Sequence, residues 1–383
     1  MTFALALLIT PVPFHAQGPS PLQRMPFQLW ETTIAEPDSE YEFKAGTVSQ
    51  SNGSVWIALG VRPKGKLSGP QRVELQRFNG DGKRTDVMPW NGIPGSSQHV
   101  VTKLYGIAVD ASDRVYLFVQ TASAEVVMFR YDTSKKTATL FKKIDTVHRP
   151  ISIAKILRVS NDEFLLLGHV DAQAIVVQVD STGEIVREVL LVDDVSTLLD
   201  GVLHRDGTVF LAGAKVSETR AVSLWIASLS RNGGISRSLV APGSRARLAP
   251  QSGGLVVLSN ASSGSSAALV VAAYSTSLSL LWQRVVPASI NDQVNIGLGA
   301  LPDDQSLAVW EEKKHLALTI LRKDGSSAFT ATYEDPRWAW QQVWNVDVVS
   351  SGATTLLPVT MLIVDQKREQ RQIVKIMSLG KQQ

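Results

Sequence analysis

Two kinds of short polar turn alternate along this chain, and their regular spacing limits its fold more than any other feature. In the first kind a turn leads into an apolar run, as in residues 206–210 (DGTVF). In the second kind an apolar run ends in a turn, as in residues 179–183 (VDSTG). Each kind occurs seven times, and the two sets alternate one for one. Because Asp-Gly and similar pairs favour tight hairpin turns, the pattern predicts a succession of short antiparallel strands.

The repeat length identifies the architecture. Gly183 and Gly233 are 233 − 183 = 50 residues apart, and Gly207 and Gly253 are 253 − 207 = 46 apart. Periods of this length are typical of four-stranded propeller blades. The runs that follow the first kind of turn, such as residues 209–212 (VFLA), do not alternate with polar residues, which indicates strands covered on both faces. We therefore predict an all-β, seven-bladed β-propeller of four-stranded antiparallel blades, formed by residues 17–383 as one domain.

The ends of the chain predict how the ring closes. The seventh repeat ends near Gln383 without room for an outer strand, whereas residues 27–34 (FQLWETTI) form an unpaired strand-like piece. We expect this piece to pair with residues 372–379 and complete the last blade, since a closed ring removes exposed sheet edges. Residues 366–377 (QKREQRQIVKIM) are compatible with a helix, but a loop followed by a strand agrees better with the sixth repeat.

The first sixteen residues resemble a secretory signal peptide. Residues 2–10 (TFALALLIT) are apolar, and the step at residues 15–17 (HAQ) suggests cleavage after Ala16. The alternatives are a disordered cytoplasmic N-terminus and a misplaced start. The run is too short to cross a bilayer and no other run approaches about 18 apolar residues, so we expect a secreted or periplasmic protein without membrane insertion.

Composition excludes several classes of site and partner. The chain has no cysteine, which rules out disulfides, thiolate metal sites and cysteine nucleophiles. Lys and Arg number 38 against 35 Asp and Glu, and no basic block alternates with aromatic residues, so nucleic acid is not an expected partner. We expect a monomer without a cofactor.

Two short segments resemble known propeller motifs. Residues 106–117 (GIAVDASDRVYL) resemble the NHL-type motif, and residues 179–185 (VDSTGEI) are similar to the turn of quinoprotein-like blades. The repeated signatures of WD40, kelch and sialidase blades are absent. The resemblance implies the β-propeller superfold and no specific family, and a superfold transfers no active site.

The segment richest in recognition chemistry is predicted on the face of the ring formed by the loops between blades. Residues 333–344 (YEDPRWAWQQVW) combine indoles, a guanidinium and two carboxylates, which suit a sugar or a peptide. The alternative is that the indoles fill the gap between blades. His99, His148 and His169 lie in or near the same set of loops, where structural or solvent-facing roles are the alternative. The predicted ligand-binding residues are Trp338, Trp340, Trp344, Arg337, Glu334, Asp335, His99 and His148.

Four polar residues near the predicted inner strands could together bind a hard cation through oxygen ligands. They are Glu42, Asp200, Asn295 and Asp347. Nothing in their spacing requires a metal, and none is predicted.

The sequence favours a binding or interaction propeller that recognises a protein, peptide or glycan on its loop face. The alternative is a propeller enzyme acting on a sugar, lactone or similar small polar substrate. The chain has neither a Gly-x-Ser-x-Gly elbow nor a phosphate-binding loop.

Overall fold

A computed structural model gives the fold of this protein. The structure describes residues 28–379 apart from 35–38, 48–54, 65–71, 80–82, 91–99, 111–113, 133–136, 148–150, 161, 172, 192–195, 218–220, 232, 264–265, 287, 289, 291–293, 313–314, 334–339, 352–353 and 365–369.

The strands form seven sheets that follow one another along the chain. Blade 1 contains β2 (Ser39–Thr47), β3 (Val55–Pro63), β4 (Arg72–Phe78) and β5 (Arg84–Trp90). Blade 2 contains β6 (Val101–Val109), β7 (Val115–Thr121), β8 (Val126–Asp132) and β9 (Thr137–Lys143). Blade 3 contains β10 (Ser152–Arg158), β11 (Glu163–Val170), β12 (Gln173–Asp180) and β13 (Ile185–Leu190). Blade 4 contains β14 (Ser196–Leu203), β15 (Val209–Val216), β16 (Val222–Leu229) and β17 (Ile235–Pro242).

The remaining blades follow the same order. Blade 5 contains β18 (Ala246–Gln251), β19 (Gly254–Ser263), β20 (Ser266–Ser275) and β21 (Leu280–Val286). Blade 6 contains β22 (Ile296–Ala300), β23 (Ser306–Glu312), β24 (His315–Leu321) and β25 (Ser327–Tyr333). Blade 7 contains β26 (Trp340–Val346), β27 (Val349–Ser351), β28 (Thr354–Val364) and β29 (Gln370–Leu379), together with β1 (Gln28–Ile34).

The predicted architecture is confirmed. Blades 1 to 6 are each a four-stranded antiparallel meander in sequence order, and no helix occurs among the described residues. The part of the chain that the structure describes therefore contains no long apolar helix able to cross a bilayer. The first strand of each blade lines the central tunnel and is called the inner strand below.

The two kinds of turn lie on the same face of the ring. Turns of the first kind join the first strand of a blade to the second, and turns of the second kind join the third to the fourth, so an antiparallel meander places both at one end. We call this end the turn face. The opposite end, which carries the mid-blade loops and the connections between blades, is the loop face.

Apolar side chains between adjacent blades form the core. The described residues contain seven buried apolar clusters, one at each of the seven interfaces around the ring. Between blades 2 and 3, for example, the ring centroids of Phe118 and Phe164 lie 5.9 Å apart. Because a blade is covered by a neighbour on each side, its middle strands are buried on both faces, as the continuous apolar runs predicted.

Turns of the second kind also join neighbouring blades near the rim. Gly325 has a φ of 79°, a conformation that a side chain disfavours, and the Trp282 indole of blade 5 packs over the bare backbone there. The indole Nε1 also donates a hydrogen bond to the Lys323 carbonyl at 2.8 Å. Arg187 of blade 3 covers Gly233 of blade 4 in the same way. The outer strands of blades 3 and 5 are thus tied to the turn of the following blade.

The N-terminal strand closes the ring. β1 pairs antiparallel with β29, with Ile34 opposite Val374 and Gln28 opposite Leu379. Ile34 is buried in the cluster between blades 7 and 1. Both the closure and the choice of a strand over a helix in residues 370–377 are confirmed.

Candidate functional site

The predicted loop-face site lies largely outside the described residues. Its loop joins β25 to β26, as expected, but Glu334, Asp335, Arg337, Trp338, His99 and His148 are not among the residues described. Trp340 and Trp344 lie in β26, and their side chains are also outside the description. For His169, burial and then the charge of Lys103 lower the pKa of the imidazole, which favours the neutral form. The loop-face site stays a prediction.

Four charged residues in or next to the inner strands lie in one layer of the central tunnel. Lys155, Asp200 and Arg247 belong to blades 3, 4 and 5, and Asp347 lies between β26 and β27 of blade 7. Lys155, Asp200 and Arg247 each pair with a residue in the middle of the second strand of their blade. The Asp347 N–H donates to the carbonyl of a residue in the middle of β28, so all four lie at the same height in the tunnel. Those partners are Leu167, Ala212, Leu258 and Pro358. The layer alternates positive and negative charge.

Asp200 connects three blades within this layer. Its Oδ1 accepts a hydrogen bond from the Lys155 ammonium, and its Oδ2 accepts one from the Leu248 N–H at 2.7 Å. Asp200 is 3% exposed, so an unpaired charge there would be costly. Arg247 donates to the Leu199 carbonyl at 3.4 Å. The pairing therefore holds the inner strands of blades 3, 4 and 5 in register.

The tunnel acids and Asn295 do not assemble a cation site in the described part of the chain. Burial raises the pKa of Asp347, while the positive charges of Lys155 and Arg247 oppose that rise. Asn295 donates to Glu311 at 3.1 Å. The Glu42 side chain is outside the described residues, and those that are described contain no group of three or more His, Cys, Asp or Glu able to hold a metal ion.

A pocket of about 440 Å³ opens on the turn face where blades 3 to 6 meet. Its floor includes half-buried apolar side chains at the ends of inner strands, and its walls come from turns of blades 4, 5 and 6. The lining residues are Val159, Leu203, His204, Arg205, Gly207, Arg231, Pro250, Gln251, Ser252 and Asp304. We call it the turn-face pocket.

Hydrogen bonds between blades 4 and 5 fix one wall of the turn-face pocket. The buried His204 imidazole places Nε2 3.0 Å from the Gln251 carbonyl, and because a carbonyl only accepts, Nε2 carries the proton. The Asp206 carboxylate lies 2.9 Å from Nδ1. A hydrogen bond from the Thr208 N–H, together with His204, lowers the pKa of Asp206 to about 2. Both side chains are therefore engaged in holding the turn.

Asp304 fixes the opposite wall from an uncommon backbone conformation. Asp303 and Asp304 have φ values of 60° and 57°, in the left-handed region that few residues other than glycine adopt. The Asp304 carboxylate accepts hydrogen bonds from the Ser252 N–H at 2.8 Å, from the Ser252 hydroxyl and from Lys323 at 2.9 Å. The Ser252 hydroxyl and Lys323 lower the pKa of Asp304 to about 2. Its charge is thus satisfied by blades 5 and 6.

Two arginines of blade 4 leave donors at the rim of the turn-face pocket. Among the residues that the structure describes, the Arg231 guanidinium makes no hydrogen bond or ion pair. Arg205 makes one hydrogen bond there, to the Ser252 carbonyl at 3.0 Å. Gly207 makes room for Arg231, since a Cβ there would lie 2.1 Å from the Arg231 Nε. A guanidinium carries five N–H donors, so both arginines keep donors without a described partner.

The polar groups of the pocket suit binding better than covalent catalysis. The Ser252 hydroxyl lies 2.8 Å from the Lys323 ammonium and also donates to Asp304. A carboxylate with a pKa of about 2 is a weak base, so Asp304 is poorly suited to take the proton of the Ser252 hydroxyl. Ser252 is therefore positioned as a structural donor and not as an activated nucleophile.

Sequence reasoning missed this pocket because its residues lie in the turns that defined the repeat. From the sequence alone His204 has no assigned role, and Arg205, Arg231 and Asp304 belong to the repeated turns. A usable signal was present: the two turns of blade 4 carry an arginine each, Arg205 and Arg231.

No protein-family model and no curated protein matches the chain. Solved structures do: the Dos1 propeller matches with a TM-score of 0.56 at 10% identity, over 93% of this chain and 96% of that one. A protein of unknown function from Dyadobacter fermentans DSM 18053 matches with a TM-score of 0.53 at 10% identity, over 92% and 98%. The chain is a β-propeller. Likeness at this identity shows the fold alone, so the expectation of a superfold without a specific family is confirmed.

A third similar structure is an enzyme. Prolyl oligopeptidase B from Galerina marginata matches with a TM-score of 0.51 at 10% identity, over 90% of this chain but 51% of that one. The β-propeller fold is thus found both in an enzyme and in a protein without a known function.

The tunnel layer predicts a stability effect of replacing Asp200. Asp200→Asn keeps an oxygen that can accept a hydrogen bond from the Leu248 N–H, but it leaves Lys155 without its carboxylate partner. The free energy of unfolding should therefore fall by about 1 to 3 kcal/mol. Urea unfolding measures this. Lys155→Met combined with Asp200→Asn should recover part of the loss, because the unpaired ammonium is then gone. A loss of less than about 0.5 kcal/mol in the single variant would contradict the role given to the pair.

Asp304 predicts a pH-dependent stability difference. Its folded pKa of about 2 lies below the ordinary value of 3.8, so its contribution is present above pH 4 and disappears as the pH falls through 2. Asp304→Asn should cost on the order of 1 kcal/mol at pH 7, since Lys323 is largely exposed, and much less near pH 2. Urea unfolding between pH 2 and 7 tests this. Asp303→Asn, at the exposed neighbour with the same backbone conformation, is the matched control and should show no such trend.

Proposed function

We propose that this chain is an exported binding propeller that holds a ligand in the turn-face pocket. The proposal rests on one observation: the Arg231 guanidinium has no described partner and lies at the opening of a pocket of about 440 Å³. Exposed charged groups at a concave site are available to a ligand at little cost to the fold. The volume lies within the range typical of small-molecule pockets.

The construction of the pocket supports a binding role. His204 and Asp304 hold its walls through bonds to neighbouring blades, so the shape is set before a ligand arrives. A pocket formed in advance loses less conformational entropy on binding than a mobile loop does. Ser252 and Lys323 are occupied by Asp304, which leaves the arginines as the groups that face outward.

A binding experiment with the full chain tests the proposal. Thermal-shift screening against sugars, short peptides and small organic acids should find a ligand, and titration should show that Val159→Phe weakens it at least about tenfold by filling the pocket floor. Val87→Phe, on the exposed outer strand of blade 1, is the matched control and should leave the affinity unchanged. Trp340→Ala tests whether a protein, peptide or glycan binds at the predicted loop-face site. If Val159→Phe binds every ligand as the parent does, the pocket is not the binding site.

Export is the second part of the proposal. The apolar run of residues 2–10 and the step at Ala16 support passage through a secretory membrane and a secreted or periplasmic location. Sequencing the N-terminus of protein purified from its native host should give Gln17 as the first residue. An N-terminus at Met1, or recovery from the cytosolic fraction, would contradict export.

A further inference from the structure

The charges that line the turn-face pocket select for one class of ligand. Asp304 is the acidic residue among the described lining residues, and its carboxylate already accepts bonds from Ser252 and Lys323. The neighbouring Asp206 accepts from the Thr208 N–H at 2.8 Å and lies against His204. Both carboxylates are thus already hydrogen-bonded within the protein, which makes them weaker partners for a cationic ligand.

The donors that remain belong to guanidinium groups. Arg231 makes no hydrogen bond or ion pair to any described side chain or backbone atom through its guanidinium, and Arg205 makes one bond, to the Ser252 carbonyl. Both side chains are exposed at the rim. A guanidinium presents paired N–H groups that match the two oxygens of a carboxylate or phosphate, which gives both charge and geometric selectivity.

The floor of the pocket has a different chemistry. Val159, Leu203 and Pro250 lie at or next to the ends of the inner strands of blades 3, 4 and 5, and each is half-buried. An apolar floor below a cationic rim favours a ligand with an apolar body and a charged end, because each part then leaves water for a matching surface. Inorganic anions would use only the rim.

We infer that the turn-face pocket binds a small organic anion, with its carboxylate or phosphate on Arg205 and Arg231 and its apolar body on Val159, Leu203 and Pro250. The inference rests on the proposed function, to which it adds the class of ligand. The anion displaces water from the rim and leaves the bonds of His204 and Asp304 intact.

Ligand-observed NMR titration of the full chain tests the class with five probes. Benzoate and phenyl phosphate share an apolar ring and differ in the anion; benzyl alcohol and benzylamine replace the anion by a neutral and a cationic group; inorganic phosphate lacks the ring. At least one ring-bearing anion should bind at least about tenfold more tightly than the alcohol, the amine and inorganic phosphate, and added salt should weaken it. The stronger of the two identifies the preferred anion.

Variants assign the binding to the pocket. Arg231→Gln and Arg205→Gln should each weaken the preferred anion at least about tenfold, with unchanged melting temperatures. Arg84→Gln, at an exposed position on β5 of blade 1, removes the same charge from another part of the ring and should change the affinity less than about twofold. Equal effects of Arg84→Gln and Arg231→Gln would overturn the inference, as would equal binding of benzylamine and benzoate.

The two proposals fail in different ways. A neutral or cationic ligand that Val159→Phe weakens would refute the anionic class while the pocket remains the binding site. Binding of anions that neither Val159→Phe nor Arg231→Gln affects would refute the pocket itself.

Discussion

Burial of both faces of each blade is the constraint on which the rest of this structure depends. A four-stranded sheet has two apolar faces in its middle strands, and only a neighbouring blade on each side can cover both. The seven clusters between blades meet this requirement around the whole ring, and the last of them includes Ile34 of the N-terminal strand. Closure therefore completes an interface as well as a sheet.

The same constraint determines where polar chemistry can lie. With the blade interfaces apolar, charged side chains of the inner strands have only the tunnel available to them, and there they must pair. Lys155 and Asp200 do so across the boundary between blades 3 and 4. Such a pair adds little net energy compared with apolar packing, but it penalises any shift of one inner strand relative to the next. The tunnel layer is thus better suited to fixing register than to holding a cation.

The sequence predicted the fold well because its signals are local. Turn residues such as Gly207 and apolar runs such as 209–212 report on strands within one hairpin, and the repeat multiplies the signal. The pocket was not predicted, because its contacts join residues that are distant in the chain. His204 meets Gln251 and Ser252 meets Asp304, each pair about one blade apart. No pattern within one repeat indicates which turns will meet.

The turn-face pocket combines rigidity with available donors because tight turns, and not long connections, form its walls. The Gly207 N–H donates to the His204 carbonyl at 2.9 Å, and the Gln251 amide donates to the Asp304 carbonyl at 2.9 Å, so neighbouring turns are fixed by short bonds. The left-handed conformation of Asp304 is maintained by these contacts and not by its own preference. Because the Gln251 bond and the bond from Arg205 to the Ser252 carbonyl cross blade boundaries, a change that loosens the packing of blades 4, 5 and 6 would also move Arg205 relative to Ser252. The shape of the pocket and the stability of the ring therefore depend on the same interfaces.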